Sequence, residues 1–256
     1  MFGPQRHNEI IQLITERGII RISELSTRLR VSENTIRRDL RSLEKLDILQ
    51  RVHGGAILKD FYKFKSKDLP FISREGKYVE EKDRIGRRAA DLIRSEEIIF
   101  LDAGTTVAYV PKHIKHRSRL TVITNALNIA MEMNGQGKIV VILTGGIFRK
   151  EINCLIGFPA EDFIGGLEID KAFIGASGVS VDKGVTNLVP LDTGVKKAAI
   201  KAAKEVILLV THDKLNKTSL DYVAPITAVH KIITDKNAPP QKIRDFEAQG
   251  IEVILA

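Results

Sequence analysis

The chain lacks the several cysteines that stabilise many secreted and zinc-binding proteins. Its 256 residues include one cysteine, Cys154, and no tryptophan. A single cysteine excludes an intramolecular disulfide and zinc sites built on two to four cysteines, and it favours a reducing, cytoplasmic setting. No apolar run reaches the roughly 18 residues that span a bilayer, and the polar N-terminus is unlike a secretory signal. The composition therefore predicts a globular protein with no membrane partner.

Two nucleotide-binding fingerprints are missing as well. The sequence has no G-x-x-x-x-G-K-[ST] loop and no G-x-G-x-x-G after a strand, which removes the main support for nucleotide hydrolysis and dinucleotide redox chemistry. His113 and His116 are three residues apart, but no further metal ligand is evident, and we expect both at the surface. We therefore expect neither a cofactor nor a metal.

Positive charge is concentrated in the first third of the chain. The sequence has 40 Lys and Arg against 32 Asp and Glu, a net charge of +8. Residues 1–88 carry +7 of this excess and residues 89–256 only +1. Because neutralising phosphates releases condensed counterions, the basic region favours a polyanion partner, although a solvated basic surface would carry the same charge.

The apolar pattern predicts two domains of different class joined by a linker. Residues 1–58 have the spacing of three helices followed by a short hairpin. Residues 59–80 are charged and aromatic without a clear period, as in a linker. Residues 81–256 alternate short apolar strand runs with helical patterns, which is typical of an α/β domain.

The short gap between the second and third predicted helices gives a helix-turn-helix layout. Ser32 is the expected N-cap of the third helix. At about 100° per residue, Ile36, Leu40 and Leu43 fall on one side of this helix and are predicted to be core. The other side and its flanks carry Asn34, Arg37, Arg38, Arg41 and Lys45. Such side chains pair with bases and phosphates, so this face is predicted to read DNA; a solvated helix face is the alternative.

A hairpin follows the third helix and is predicted to form a wing beside it. Residues 48–52 and 56–58 are its strands, and the glycines of His53-Gly54-Gly55 permit the positive φ of a tight turn. Arg51 and His53 are placed to contact the DNA backbone, although His53 is equally suited to stabilising the turn.

Two motifs of the N-terminal region are specific when taken together. They are Val31-Ser32 through Thr35-Ile36-Arg37-Arg38-Asp39-Leu40, and Arg51-Val52-His53-Gly54-Gly55-Ala56. Together they resemble the DNA-binding signature of the DeoR family of bacterial transcriptional regulators. The resemblance continues through Pro70-Phe71, Arg74, Ile98–Thr106, Thr124-Asn125, Gly145-Gly146 and Phe173–Gly178, so it covers nearly the whole chain. The residues predicted to contact DNA are Ser32, Asn34, Thr35, Arg37, Arg38, Arg41, Arg51 and His53.

The resemblance also implies a fold, a ligand and an assembly for the C-terminal domain. Members of the family have a C-terminal domain that looks like sugar-phosphate isomerases and senses a phosphorylated sugar or related metabolite. Most are oligomeric repressors that this ligand releases from DNA. The expected partners are therefore a double-stranded DNA operator, a phosphorylated sugar effector and further copies of the chain, as a homodimer or homotetramer.

Polar residues and glycines gather where the predicted strands end, which is where open α/β sheets bind ligands. The apolar run Ile98–Leu101 ends in Asp102-Ala103-Gly104-Thr105-Thr106, and a helical pattern begins near Val107. Loop amides and a helix dipole both favour phosphate, so we predict a phosphate site here; a helix cap without a ligand is the alternative. The residues predicted to bind the effector are Asp102, Gly104, Thr105, Thr106, Thr124, Asn125, Gly145, Gly146, Asp192, Lys196 and Lys214.

Three positions depart from the family pattern. Asp192 stands where glutamate is common, Thr211 where aspartate is frequent, and Asp47 where glycine is usual. Lys196 and Lys214 match lysines of the family, and Lys196 is suited to meeting a phosphate or sugar oxygen. The alternative for Asp192 and Lys196 is a surface helix pair, worth only about 0.3–0.5 kcal/mol.

Three functions agree with these features. The leading hypothesis is a sequence-specific repressor of a sugar or carbohydrate operon, relieved by a phosphorylated sugar. The second is a DNA-binding regulator whose C-terminal domain binds no ligand and only dimerises. The third is a sugar-phosphate isomerase with an added domain, for which Asp102 and Asp192 are the candidate carboxylates. A complete DNA-reading unit weighs against the third, so we do not expect an enzyme.

Overall fold

A computed structural model describes residues 3–46, 48–59, 74–135, 138–150, 152–188 and 190–256. The chain divides into two compact units, the first with residues 3–59 and Gly157–Pro159 and the second with the remaining described residues. Most of the predicted linker, Asp47 and Pro70-Phe71 lie outside the described residues.

The first unit is a winged helix-turn-helix, as the sequence predicts. Its elements are α1 (Gly3–Arg17), β1 (Ile19–Arg21), α2 (Ile22–Leu29), α3 (Glu33–Lys45), β2 (Leu49–Val52) and β3 (Gly55–Leu58). The strands form an antiparallel sheet in the order β1-β3-β2. Ile36, Leu40 and Leu43 are fully buried against Ile10 and Leu25 in one core, so the apolar side of α3 faces inward as expected.

The wing turn uses its two glycines for different reasons. β2 and β3 are joined through His53 and Gly54, and Gly54 has a positive φ of +77°. Gly55 is instead the first residue of β3, where a Cβ would stand 2.2 Å from the carbonyl oxygen of Ile20. The expectation that both glycines serve the turn is therefore wrong for Gly55, which lets β1 approach β3.

The second unit alternates strands and helices, as the sequence predicts for an α/β domain. Its helices are α4 (Val79–Asp91), α5 (Val110–His113), α6 (Leu127–Glu132), α7 (Phe158–Gly165, whose first two residues are grouped with the first unit), α8 (Pro190–Ala202) and α9 (Pro240–Glu247). Its strands are β4 (Ile98–Leu101), β5 (Leu120–Thr124), β6 (Ile139–Leu143), β7 (Ile147–Arg149), β8 (Cys154–Ile156), β9 (Ile169–Gly175), β10 (Gly178–Ser180), β11 (Gly184–Asn187), β12 (Ala203–Leu209), β13 (Asp221–Ala224), β14 (Lys231–Thr234) and β15 (Glu252–Leu255).

Seven parallel strands form the central sheet in the order β15-β14-β12-β9-β4-β5-β6. One face packs against α4, α5 and α6, and the other against α7, α8 and α9. Burial on both faces explains why the strands are continuous apolar runs. No helix of the described residues is long and apolar enough to cross a membrane.

The strand order places a topological switch point between β4 and β9. The chain proceeds outward from β4 through β5 and β6 on one side, and from β9 through β12, β14 and β15 on the other. The loops that follow β4 and β9 therefore lead away from each other. Open α/β sheets bind ligands in the crevice that such diverging loops leave at the carboxyl edge.

Candidate functional site

The outer face of α3 carries unpaired cations. The hydroxyl of Ser32 accepts from the backbone amide of Thr35 at 3.3 Å, which confirms Ser32 as the N-cap. Asn34, Arg38 and Arg41 are exposed, and among the described residues no carboxylate pairs with either guanidinium. A set of free, exposed cations on a capped helix is suited to phosphates and base edges.

Two arginines predicted to contact DNA already have carboxylate partners. The guanidinium of Arg37 donates to Glu33 at 3.1 Å, one helical turn away. Nε of Arg51 donates to Oε2 of Glu44 at 2.6 Å, and its backbone amide donates to Oε1 at 2.9 Å. These bonds to Arg51 lower the pKa of Glu44. Arg51 thus fastens the wing to the end of α3 as well as presenting a partly exposed cation.

A buried ion pair that the sequence analysis missed holds α3 in place. Asp39 lies on the buried side of α3 and accepts from Nε of Arg6 at 2.5 Å and from Nη2 of Arg6 at 3.0 Å. Nε2 of His7 lies 3.2 Å from Oδ1 of Asp39. Helical spacing could have indicated that Asp39 is buried, because position 39 is adjacent to the apolar stripe of Ile36, Leu40 and Leu43. The pair links α1 to the helix that carries the exposed cations.

In the second unit, the loops after β4 and β9 are in direct contact at the switch point. The backbone amide of Gly175 donates to Oδ2 of Asp102 at 2.9 Å. A Cβ on Gly104 would lie 3.5 Å from Cα of Gly175, so the loops approach at ordinary packing distance. Asp102 is fully buried where β4 ends. Because Gly104 and Gly175 have no side chains, the Asp102 carboxylate and both loops can pack closely together.

A buried charge cluster surrounds Asp102. Nζ of Lys196, at the middle of α8, donates to Oδ2 of Asp102 and lies 3.5 Å from Oδ2 of Asp192. The side-chain amide of Asn187 donates to the same oxygen of Asp192 at 3.2 Å. Lys196 is 2% exposed and Asp192 is 6% exposed, so the surface-pair alternative is wrong. Asn187, at the end of β11, is a member of the cluster that sequence reasoning missed.

Two carboxylate oxygens in this cluster lack donors. Oδ1 of Asp102 and Oδ1 of Asp192 are buried without a hydrogen-bond partner in the described structure. A buried acceptor left unpaired costs about 1–3 kcal/mol, and such groups are rare. Both oxygens are therefore suited to accepting from a small molecule that brings hydroxyl groups.

The electrostatics of the cluster follow from its burial. Burial raises the pKa of Asp102, opposed by the charge of Lys196 and reinforced by that of Asp192. Burial lowers the pKa of Lys196, but the two carboxylates raise it by more, so the net shift is upward and the ammonium is retained. Burial, followed by Asp192 and Asp102, also raises the pKa of the Cys154 thiol, so this cysteine is protonated and a poor nucleophile.

Thr124 and Asn125 brace the crevice from the neighbouring strand. The Thr124 hydroxyl donates to the carbonyl of Leu101 at 2.7 Å and accepts from the amide of Ala126 at 3.0 Å. Oδ1 of Asn125 accepts from the amide of Ala103 at 3.2 Å. Both side chains are fully buried, and these bonds fix the start of the loop after β4.

The helix expected after the phosphate loop is much shorter than its sequence pattern suggests. Val107–Tyr109 is a single 3-10 turn and α5 has four residues. The dipole of so short a helix is small, so the predicted dipole contribution to anion binding is not supported. What remains for an anion are the loop itself and the hydroxyls of Thr105 and Thr106, of which Thr106 is buried.

The other predicted effector residues lie further along the carboxyl edge. Gly145 and Gly146 follow β6, two strands from β4, and Gly146 has a φ of +114° where a Cβ would stand 2.6 Å from the Ile156 carbonyl oxygen. Lys214 follows β12, two strands from β4 on the other side, and pairs with Asp213 at 3.0 Å. Among the predicted effector residues in the described structure, side-chain ion pairs join Asp102, Asp192 and Lys196.

Metal ligands are not assembled in the described part of the chain. No group of three or more His, Cys, Asp or Glu side chains there is arranged to hold a metal ion. His113 is half-buried and its Nε2 lies 3.0 Å from Oδ1 of Asp83, so it is less exposed than expected.

Comparison with known families matches both units. Residues 6–60 match the DeoR-like helix-turn-helix domain, and residues 77–236 match the DeoR C-terminal sensor domain. The chain belongs to the DeoR family of transcriptional regulators. The first unit is therefore the helix-turn-helix domain of this family, and the second unit is its sensor domain.

Its curated relatives are DeoR-type regulators that match over nearly their whole length. The HTH-type transcriptional regulator GolR of Listeria innocua is 33% identical over 256 residues, covering 100% of both chains. The glycerol-3-phosphate regulon repressor of Escherichia coli is 34% identical over 236 residues, covering 92% of this chain and 91% of that protein. The HTH-type transcriptional repressor GlcR of Bacillus subtilis is 34% identical over 256 residues, covering 100% and 97%. Among solved structures, ribose 5-phosphate isomerase from Plasmodium falciparum is 14% identical with a TM-score of 0.37, covering 52% of this chain and 51% of that chain.

Proposed function

We propose that this DeoR-family regulator is a repressor of a carbohydrate operon and that a phosphorylated sugar in the sensor crevice releases it from operator DNA. The observation that carries the ligand part is the pair of buried carboxylate oxygens of Asp102 and Asp192 without donors at the switch point. The relatives support the repressor part, since one is named as the glycerol-3-phosphate regulon repressor and another as a repressor.

The chemistry of the carboxyl edge favours a ligand with hydroxyls at one end and an oxyanion at the other. Hydroxyl groups of a sugar would donate to the free oxygens of Asp102 and Asp192. The phosphate would lie toward Thr105, Thr106 and Lys214, because the charge cluster itself holds two carboxylates and one ammonium. At about 4.8 Å between adjacent strands, the ends of β4 and β12 are about 10 Å apart, a span that suits a phosphorylated sugar.

Release from DNA requires that the effector binds the low-affinity conformation better than the DNA-bound one. Residues on α3 and the wing would contact the operator, with Arg38 and Arg41 as free cations and Arg37 and Arg51 exchanging a carboxylate partner for phosphate. A homodimer or homotetramer would match an operator with two-fold symmetry. Such a regulator acts in the cytoplasm and catalyses no reaction.

Gel shift with the DNA upstream of its own gene tests the DNA part. We expect Arg38→Ala to weaken binding by about 1–3 kcal/mol. Lys112→Ala, which removes an exposed cation from the sensor, is the matched control. Equal affinity of the unaltered chain for this fragment and for unrelated DNA at about 0.15 M salt would defeat the proposal.

A thermal-shift panel of glycerol 3-phosphate, ribose 5-phosphate, glucose 6-phosphate and fructose 6-phosphate tests the sensor. A ligand at 100 times its Kd stabilises the sensor by about 2.7 kcal/mol. The same ligand should release the operator, and Asp192→Asn should weaken both effects. No shift across a broad panel would favour the ligand-free dimerisation domain, and turnover of a sugar phosphate would favour an isomerase.

A further inference from the structure

The sensor contains a buried lysine that the crevice described above does not use. Lys82, in the first half of α4, is 3% exposed, although lysine is almost never buried without a charged partner. Its Nζ donates to the backbone carbonyls of Arg74 at 2.5 Å and of Glu75 at 3.4 Å. Within the described residues no carboxylate lies at ion-pair distance from it. Among the described residues, the hydrogen-bond acceptors of this ammonium are therefore both neutral carbonyls.

Lys82 lies at the same edge of the sheet as the effector crevice. Because α4 precedes β4 and packs on a parallel sheet, its first turns lie at the carboxyl ends of the strands. Gly86 is one turn further on the same face, and a Cβ there would stand 2.6 Å from Cβ of Tyr109, three residues after Thr106. Lys82 therefore belongs to the neighbourhood of the loop that follows β4.

A second cation, Lys214, lies on a turn that packs beside the start of α4. The ring of His212 in this turn is 5.0 Å from the ring of Tyr78, the residue before α4. Burial, the largest cause, and then the charges of Lys214 and Arg74 lower the pKa of Lys82 to about 8, against smaller opposing effects of Asp213 and Glu75. Lys214 follows β12 and belongs to the same edge. Two like charges in a partly buried place repel each other, and an anion between them would relieve this repulsion.

We propose that an effector oxyanion binds between Lys82 and Lys214 and draws the Lys82 ammonium away from the carbonyls of Arg74 and Glu75. A phosphate oxygen competes well for the ammonium, because its negative charge adds a Coulombic attraction that a neutral carbonyl lacks. Residues 74 and 75 are the first described residues of the sensor on the chain that comes from the wing. Lys82 would thereby couple occupancy of the crevice to the segment that leads to the DNA-binding unit. The inference rests on the proposed function and adds Lys82 as the residue that transmits effector binding toward the DNA-binding unit.

Hydrogen exchange of the full chain, with inorganic phosphate as the probe and chloride at matched ionic strength, tests the binding step. In the unaltered chain, saturating phosphate should speed exchange in a peptide that covers residues 74–78 by about tenfold, the effect of losing one hydrogen bond to a charged group. In the Lys82→Met variant, this peptide should exchange at the fast rate even without phosphate, and added phosphate should not change that rate. Lys236→Met, an exposed lysine after β14 at the same edge, is the control and should respond like the unaltered chain.

Two further variants separate binding from coupling. Lys214→Met should raise the phosphate midpoint about tenfold yet keep the full response at saturation, because Lys82 still holds the carbonyls. Lys82→Arg keeps the charge and should retain a response, which guards against a misfolded Lys82→Met. An unaltered chain that shows no response at residues 74–78, or a Lys82→Met variant that responds like it, would overturn the coupling.

Operator release distinguishes this inference from the proposed function. The sugar phosphates of the thermal-shift panel are added to the operator complex of the unaltered chain and of Lys82→Met. If none of them releases the unaltered chain, the proposed function fails. If one releases both proteins at the same midpoint, the proposed function stands and Lys82 is not the coupling residue. Stabilisation of Lys82→Met by that sugar phosphate without operator release supports the inference.

Discussion

At the scale of single residues, the sensor is organised around charges that burial makes costly. Lys196 neutralises one of two buried carboxylates and contacts both. Removing one member of a buried ion cluster leaves an uncompensated charge, which destabilises a protein far more than a surface pair stabilises it. The cluster therefore contributes to the stability of the switch point as well as to the proposed ligand site.

Lys196→Met should lower the free energy of unfolding of the sensor by about 3–5 kcal/mol, because Asp102 and Asp192 then face each other without a cation. The chain has no tryptophan and none of its four tyrosines precedes residue 62, so tyrosine fluorescence in urea follows the sensor selectively. Lys197→Met, its exposed neighbour on α8, should change the value by under about 0.5 kcal/mol. Equal effects of the two substitutions would contradict the role given to the buried cluster.

The pH dependence of stability reports the buried state of Lys82. An unfolded lysine has a pKa of about 10.4, whereas that of Lys82 is lowered to about 8 by burial and by Lys214 and Arg74, against Asp213 and Glu75. The unfolded chain therefore binds more protons between these values, and stability increases as pH rises through this window. The unfolding free energy of the unaltered chain, measured relative to Lys82→Met, should be greater at pH 10 than at pH 7.5. A constant or falling difference would mean that the ammonium is not destabilised in the folded protein.

At the scale of elements, α3 is held in position by its buried side and by contacts at both of its ends. Ile36, Leu40 and Leu43 fill the core, while Ser32 caps the start of the helix and Glu44 holds the wing at its end. Asp39 adds the polar contact that fixes α3 against α1. A helix held at three places presents its outer cations in one orientation.

Asp39→Asn should destabilise the first unit by about 1–3 kcal/mol, because the guanidinium of Arg6 loses its charged acceptor. Glu33→Gln makes the same change of acid to amide at an exposed pair on the same helix and should cost only about 0.3–0.5 kcal/mol. Hydrogen exchange of the α1 and α3 amides in the full chain measures both, since it reports local opening free energies. Equal protection in the two variants would show that the Arg6–Asp39 pair does not hold α3.

At the scale of the whole molecule, charge divides unequally between the two units. Residues 1–68 carry +5, whereas residues 69–256, more than twice as many, carry only +3. This division matches a regulator whose basic unit meets a polyanion and whose second unit binds a small ligand. The sensor crevice itself contains two carboxylates, so DNA has no electrostatic reason to bind there.

Operator affinity should therefore fall steeply with salt, with a slope set by the cations of the first unit. Replacing one phosphate-contacting cation there, such as Arg41→Ala, should reduce the slope of log K against log salt by about 1. Arg87→Ala, an exposed cation of the sensor helix α4, should leave the slope unchanged. Binding curves across a salt series measure this, and an equal change in both variants would contradict the assignment of DNA contacts to the first unit.

The sequence by itself determined the class of each unit and the residues of α3. Apolar spacing separates the core of α3 from its exposed cations, since a helix has one period whatever packs around it. Continuous apolar runs ending in polar loops likewise identified the parallel strands and Asp102. Only the tertiary structure decided the strand order, the close approach of Gly104 and Gly175, and the contacts of Asp102 with Lys196 and of Lys82 with Arg74. Except for the contact of Lys82 with Arg74, eight residues away, these contacts join residues far apart in the chain. Because packing rather than local spacing brings such residues together, their partners are not encoded in any sequence period.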